Sequence, residues 1–156
     1  MSEDAVLEQL NTVKYLYLQQ LSEPKDNSLR IVLDEAIDLR SEPTVPGLTG
    51  YWPIESTPRC KTFELYWKCY AAYLVTEELV GSNAAGGYED EVFTGNLLRL
   101  YSKSHFLDHL TRDTGGHTDP LQHYKVICLN HLIDVAAYAP PEIRVIAAGP
   151  RERGSS

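Results

Sequence analysis

The most regular pattern of apolar and polar positions runs from Lys61 to Val75. Apolar side chains occupy the odd positions, while the even positions carry mostly polar groups and tyrosines. The odd positions are Phe63, Leu65, Trp67, Cys69, Ala71, Tyr73 and Val75. Because alternation with a period of two is typical of a strand with one buried face, we predict one long strand here, or two strands joined by a slight bend.

The N-terminal segment has the period of a helix instead. Apolar residues recur at spacings of three and four, as on one stripe of an amphipathic helix. The stripe contains Val6, Leu10, Val13, Tyr17 and Leu21. Ser2 is placed to cap this helix, and Glu3 and Asp4 suit the positive end of its dipole. We predict a helix from about Glu3 to Leu21.

Further strands are predicted on both sides of the central pattern. Residues 29–37 alternate as a half-buried strand does, whereas residues 41–58 contain four prolines and two glycines. We therefore predict a loop over residues 41–58, with at most a short edge strand around Tyr51 to Ile54.

Later in the chain, residues 98–101 alternate and predict another strand. The hydroxyls of Ser102 and Ser104 then favour the start of a short helix. Residues 122–137 are apolar on both parities, which is typical of a central strand, here bent near Asn130, and residues 143–146 predict a last strand.

Strands that mostly follow strands predict an α+β fold. We expect a mainly antiparallel sheet, an N-terminal amphipathic helix and one short helix near residues 103–113. The 156-residue chain has the length of one domain, so we assign residues 1–148 to a single globular domain. We expect the polar tail over residues 149–156 to be disordered.

Composition narrows the classes of partner. The 14 basic and 22 acidic residues give a net charge of −8, and Lys and Arg are scattered, which disfavours nucleic acid as a partner. No apolar run approaches the roughly 20 residues of a membrane span, so no membrane partner is expected. An acidic N-terminus and three cysteines without a CxxC pair favour a cytoplasmic protein.

The charge is unevenly distributed along the chain. Between Cys69 and Leu97 there is no Lys or Arg, while five acidic residues account for −5 of the net charge. Acidic groups near aromatic side chains suit a basic protein partner. The predicted contact surface contains Glu77, Glu78, Tyr88, Glu89, Asp90 and Glu91. The alternative is a solvated hairpin loop that maintains solubility.

Enzymatic chemistry has weaker support. His105 and His109 are four residues apart on the predicted short helix and are weak candidates for metal ligands. The sequence spacing fixes no third ligand. The alternative is that both histidines lie on a solvated face of the helix. Cys60 is expected to be the least buried thiol, and a Cys/His hydrolase would need a histidine beside it. No nucleophile elbow, phosphate loop or dinucleotide motif is present. We predict no catalytic residue and no cofactor.

Several segments resemble a group of small bacterial proteins of unknown activity. They are Phe63–Trp67, Gly95–Leu107, His123–Tyr124 and Ile133–Val135, and the resemblance covers roughly residues 28–146. Small acidic bacterial proteins of this kind look like immunity proteins, which bind and block a toxin. The resemblance implies a protein-binding function and supplies no catalytic residues to carry over. The alternatives are a small metal-dependent or Cys/His hydrolase and an oligomerisation module whose face of Tyr66 and Tyr70 packs against a second copy, giving a homodimer.

Overall fold

The structure is a computed structural model that describes residues 2–38, 54–57, 59–77, 88–113 and 120–147. Within these ranges, two helices and ten strands follow one another. They are α1 (Glu3–Thr12), β1 (Tyr15–Ser22), β2 (Leu29–Asp38), β3 (Ile54–Glu55), β4 (Thr62–Trp67), β5 (Tyr70–Glu77), β6 (Val92–Gly95), β7 (Leu98–Lys103), α2 (His105–Asp113), β8 (Gln122–Ile127), β9 (His131–Ala137) and β10 (Glu142–Ala147). Neither of these helices is long and apolar enough to cross a membrane.

The strands form two antiparallel sheets of five strands each. The first has the order β1-β2-β4-β10, with the short β3 paired to β2. The second has the order β5-β9-β8-β7-β6, and the described pairings within both sheets are antiparallel. The predicted α+β class is therefore confirmed, with a mainly antiparallel architecture, an N-terminal helix and a short second helix.

One hydrophobic core lies between the inner faces of the two sheets. Leu33 and Phe63 enter it from the first sheet, and Val126 and Ile133 enter it from the second. α1 closes part of this core with Val6 and Leu10. Across the sheets, the Trp67 and Tyr124 rings meet edge to face, with centroids 5.7 Å apart. Each large apolar side chain buried here contributes about 1.5–3 kcal/mol to folding.

The first helix is shorter than predicted. α1 ends at Thr12, and Val13 already has the extended backbone angles φ −66° and ψ 152°. Residues 15–22 form β1, which pairs with β2 along its length. Tyr15, Leu16, Tyr17 and Leu18 suit a strand because aromatic and alternating apolar residues pack well on a pleated sheet. The apolar stripe predicted too long a helix because Tyr17 and Leu21 fit the period of a strand as well as that of a helix.

The central alternating segment forms two strands, as the second of the two predicted alternatives had it, but the expectation of one sheet with a slight bend between them is wrong. β4 belongs to the first sheet and β5 to the second. Trp67 and Tyr73 both pack on the shared core, so the alternation continues through the junction. Tyr66 and Tyr70 therefore lie on strands of different sheets rather than on one common face.

The predicted central strand over residues 122–137 is instead the hairpin β8–β9. Its turn is closed by a hydrogen bond from Cys128 N to His131 O at 2.9 Å. The amide of Asn130 bonds both backbone groups of Leu18, accepting from N at 2.9 Å and donating to O at 3.2 Å. The turn is thereby attached to β1, where that strand has a register shift.

Other expectations hold more closely. β2 coincides with the alternating segment that predicted it, and the short β3 begins where the edge strand was expected to end. Ser104 caps α2 by accepting a hydrogen bond from Leu107 N at 3.1 Å. The predicted tail over residues 149–156 lies outside the described residues.

Candidate functional site

The predicted contact residues do not form one patch. Glu77 ends β5, whereas residues 88–91 precede β6, and these strands are opposite edges of the second sheet. Four strand spacings separate such edges by about 19 Å. Glu77 is also paired with His131 at the other end of the sheet from the Val92–Lys103 pair. The structure therefore brings Tyr88, Glu89, Asp90 and Glu91 together without Glu77, and Glu78 lies outside the described residues.

Glu91 fixes the turn that carries these residues. Its backbone N donates to Tyr88 O at 3.0 Å, and its Oε1 accepts from Tyr88 N at 3.3 Å. Its Oε2 accepts from His105 N at 3.0 Å. That amide belongs to the first turn of α2, where a carboxylate also meets the positive end of the helix dipole. The Glu91 carboxylate thus connects the turn to the helix by hydrogen bonds.

Asp90 makes a second bond between the turn and α2. Its Oδ1 lies 2.9 Å from His105 Nε2, and both side chains are more than half exposed. This hydrogen bond raises the pKa of His105 above its ordinary value and lowers the pKa of Asp90 below its own. The Tyr88 ring lies edge-on to the imidazole, with centroids 4.6 Å apart. His105 is therefore held by the acidic turn.

The side chains left facing solvent combine acidic and apolar groups. Tyr88 is 62% exposed, Val92 54% and Phe93 36%, and Glu89 and Asp90 are also exposed. We call these five residues the acidic edge. All four residues of β6 are exposed, and among the described strands β6 pairs only with β7. Within the described ranges, the outer side of β6 is thus an unpaired sheet edge, the kind of edge that can pair with another strand.

A row of rings supports the acidic edge from below. The Phe93 and Tyr101 rings are 5.1 Å apart, and the Arg99 guanidinium lies 4.3 Å from the Phe93 centroid. Tyr101 stacks on His123 with centroids 4.5 Å apart and an interplanar angle of 15°. Phe106 of α2 packs on the same imidazole at 4.9 Å. The exposed edge is thus joined to a buried histidine.

That histidine belongs to a buried polar line. His123 Nδ1 is 2.8 Å from Ser104 Oγ, and His123 Nε2 is 2.7 Å from Asp134 Oδ1. Because a carboxylate only accepts, Nε2 carries the proton shared with Asp134, and Nδ1 shares the second hydrogen bond with the Ser104 hydroxyl. Sequence reasoning missed this line, since the three residues are 19 and 11 positions apart. The predicted hydroxyl cap at Ser104 was the only sequence feature that assigned a structural contact to one of these three side chains.

The order Ser–His–Asp resembles that of a catalytic triad, but the geometry does not present a nucleophile. Ser104 and His123 are each only 2% exposed. Ser104 Oγ already accepts from Leu107 N, and the neighbouring His105 N is bonded to Glu91. A nucleophile needs open approach and free donors for an oxyanion. The line therefore anchors α2 on the outer face of the second sheet.

The remaining histidine and thiol candidates are dispersed. His105 bonds Asp90, and His109 is exposed on α2. Within the described ranges, no group of three His, Cys, Asp or Glu side chains is placed to hold a metal ion. Cys60 is buried and accepts from Thr57 N at 3.3 Å, so the expectation that it is the least buried thiol is wrong. Cys69, in the turn between β4 and β5, is the exposed one.

Comparison of the chain with protein families, curated proteins and solved structures gives no match. The fold and the site define an α+β domain of two packed antiparallel sheets with an acidic edge supported by a short helix. The resemblance to immunity-type proteins stays a prediction.

Proposed function

We propose that this protein is a non-enzymatic binding domain whose acidic edge binds a basic surface of a partner protein. The observation that carries the proposal is the position of the exposed acids. Glu89 and Asp90 lie directly beside an exposed edge strand, on a turn attached to α2 by hydrogen bonds to His105. A preorganised surface loses less conformational entropy on binding than a flexible loop does.

Electrostatics support the choice of a basic partner. The whole chain carries a net charge of −8, and Glu89 makes no ion pair with any other residue that the structure describes. Unpaired surface acids accelerate the encounter with a basic protein, and this acceleration falls as salt rises. Charge thus contributes mainly to the association rate.

Apolar contacts support a specific complex. Tyr88, Val92 and Phe93 expose apolar surface next to the acids, and tyrosine is among the side chains that most often anchor interfaces. An extended segment of the partner can add to β6 as a further strand, using backbone hydrogen bonds for affinity. Lysine or arginine side chains on that segment would then lie near Glu89 and Asp90.

In its narrower form, the proposal is that the protein is an immunity-type protein and its partner a basic toxin. The support is the resemblance described above together with the acidic surface. This form predicts that a toxin-like gene lies beside the gene for this chain and that the two products form a complex. Normal growth of cells that express the neighbouring gene without this chain would contradict the narrower form alone.

The experiment compares two charge-matched variants as baits in a lysate of the source organism. The edge variant is Glu89→Lys with Val92→Ser, and the control variant is Glu77→Lys with Leu74→Ser at the opposite edge. Each replaces one exposed acid and one exposed apolar residue, since Leu74 is 51% and Val92 54% exposed. Quantitative mass spectrometry measures which proteins each bait retains.

The proposal predicts one basic protein that wild type and the control variant retain and the edge variant loses. With that protein purified, the association rate constant should fall at least tenfold for the edge variant, and its salt dependence should flatten. Equal retention by all three baits would contradict the site. A partner without a basic surface would contradict the function.

A further inference from the structure

We propose a second site, for a small oxyanion ligand carrying a carboxylate or phosphate group, on the outer face of the first sheet. Two arginines from different strands meet there at one glutamate. Arg30 of β2 donates through Nε to Glu64 Oε2 at 2.7 Å, and Arg144 of β10 donates through Nε to Glu64 Oε1 at 2.6 Å. Strand pairing sets this arrangement, since β4, which carries Glu64, lies between β2 and β10.

Glu64 holds the two cations in place. Its side chain is 7% exposed, whereas that of Arg144 is 71% exposed. Burial raises the pKa of Glu64, but hydrogen bonds from Arg144 and Arg30 outweigh it and hold that pKa below its ordinary value. The carboxylate is therefore ionised at neutral pH, and the three side chains together carry one positive charge. A single glutamate leaves two neighbouring guanidinium groups incompletely neutralised.

Most guanidinium donors remain available. Arg30 uses Nη1 on Gln20 Oε1 at 2.9 Å. Within the described residues, Arg144 hydrogen-bonds through Nε alone, which leaves its terminal amino groups for a ligand. Because Nε is fixed by Glu64, the fork is already oriented, and guanidinium forks bind carboxylate and phosphate with paired hydrogen bonds.

A hollow of about 440 Å³ adjoins these donors. Its lining includes Arg30, Glu64, Arg144 and Tyr66. This volume lies in the range of small-molecule sites and exceeds that of a bare phosphate ion. The hollow therefore fits a small molecule that carries the oxyanion on a larger body.

Two acids also line the hollow and limit which anions it accepts. Glu142 forms an exposed ion pair with Lys68 at 3.1 Å, and its charge still acts on Arg144. Glu3 lies in the exposed first turn of α1. These carboxylates repel ligands with charge distributed over the whole molecule, so the site favours one localised anionic group.

The test is an NMR titration of the ¹⁵N-labelled full chain with inorganic phosphate and, separately, with the monocarboxylate butyrate at constant ionic strength. The site predicts saturable shifts at the amides of Tyr66 and Arg144. Arg144→Gln should weaken binding at least tenfold. Arg144→Lys should weaken it similarly, because lysine keeps the charge but lacks the fork. Lys14→Gln, the same charge change at an exposed residue outside the hollow, should leave binding unchanged.

The two probes distinguish the ligand chemistry, since the one that saturates at the lower concentration identifies the preferred oxyanion. Shifts that rise linearly with both probes would overturn the proposal, as would equal weakening by Lys14→Gln and Arg144→Gln. Because Arg144 is mostly exposed, its variants should retain the wild-type spectrum elsewhere. Widespread spectral change in Arg144→Lys would mean that Arg144 is structural and would also overturn the proposal.

Discussion

The two edges of the second sheet carry similar side chains in different settings. At β5, Leu74 and Glu77 are exposed; at β6, Val92 and the preceding Glu89 are exposed. Among the described elements, a helix supports the β6 edge and not the β5 edge, because Asp90 and Glu91 bond His105 at the start of α2. Two sheet edges with similar exposed side chains therefore do not present equivalent surfaces for binding.

The net charge of a sequence segment is therefore a poor guide to a charged surface. The acids from Glu77 to Glu91 all lie in one base-free segment, yet strand order places its ends at opposite corners of the sheet. The part useful for binding is the part that other elements hold in place. The following variants act on that support.

The largest effect is expected from His123→Ala. The change removes the hydrogen bonds to Ser104 and Asp134 and leaves a largely buried carboxylate without its partner. We expect a loss of about 3 kcal/mol in the free energy of unfolding, measured by urea denaturation. His109→Ala, at an exposed position on the same helix, should change it by less than about 0.5 kcal/mol. Equal losses for both variants would contradict the anchoring role.

A smaller loss is expected from Gly95→Ala in the turn from β6 to β7. Gly95 has φ 92°, and a Cβ there would lie 2.2 Å from Leu98 O. The strain should cost about 2 kcal/mol of unfolding free energy, measured by thermal denaturation. Thr94→Ala, one residue earlier in β6, should cost less than about 1 kcal/mol. A Gly95→Ala protein as stable as wild type would show that the turn adapts.

The smallest effect is expected from Asp90→Asn, which removes the charge beside His105. The pKa of His105 should fall toward its ordinary value of about 6.5, as followed by NMR titration of the ring protons. Asp108→Asn should lower this pKa less, since Asp108 acts only through its charge. A fall no larger than in Asp108→Asn would contradict the hydrogen bond.

The same pair sets a pH window for the turn. The lowered pKa of Asp90 stabilises the fold above the ordinary carboxyl pKa of about 3.9, and this stabilisation is lost as pH falls through the folded value. The raised pKa of His105 stabilises the fold below about pH 6.5, and this stabilisation is lost as pH rises through the folded value. The pair therefore contributes most between about pH 4 and 6.5.

Local patterns predicted the elements better than their arrangement. The alternation in β2 and the hydroxyl of Ser104 before α2 each act within a few residues, so the sequence is sufficient for them. The junction between β4 and β5 was missed because both strands face one core, and a period of two does not distinguish one sheet from two.

The candidate site was predictable in part for the same reason. Glu89 and Asp90 are neighbours in the sequence, so the base-free segment alone was sufficient to predict that they lie together. Their separation from Glu77 depends on strand order, which no local pattern specifies. The contact of His123 with Ser104 and Asp134 likewise depends on the pairing of β8 with β7 and β9.

The central claim is that the acidic edge, and not the β5 edge, binds the partner. Hydrogen exchange of the chain with and without the captured basic protein tests it most directly, because strand addition protects the amides of an edge strand. If the acidic edge binds the partner, exchange at Val92–Gly95 is slower in the complex and exchange at Tyr70–Glu77 is unchanged. Protection at Tyr70–Glu77 with none at Val92–Gly95 would contradict it.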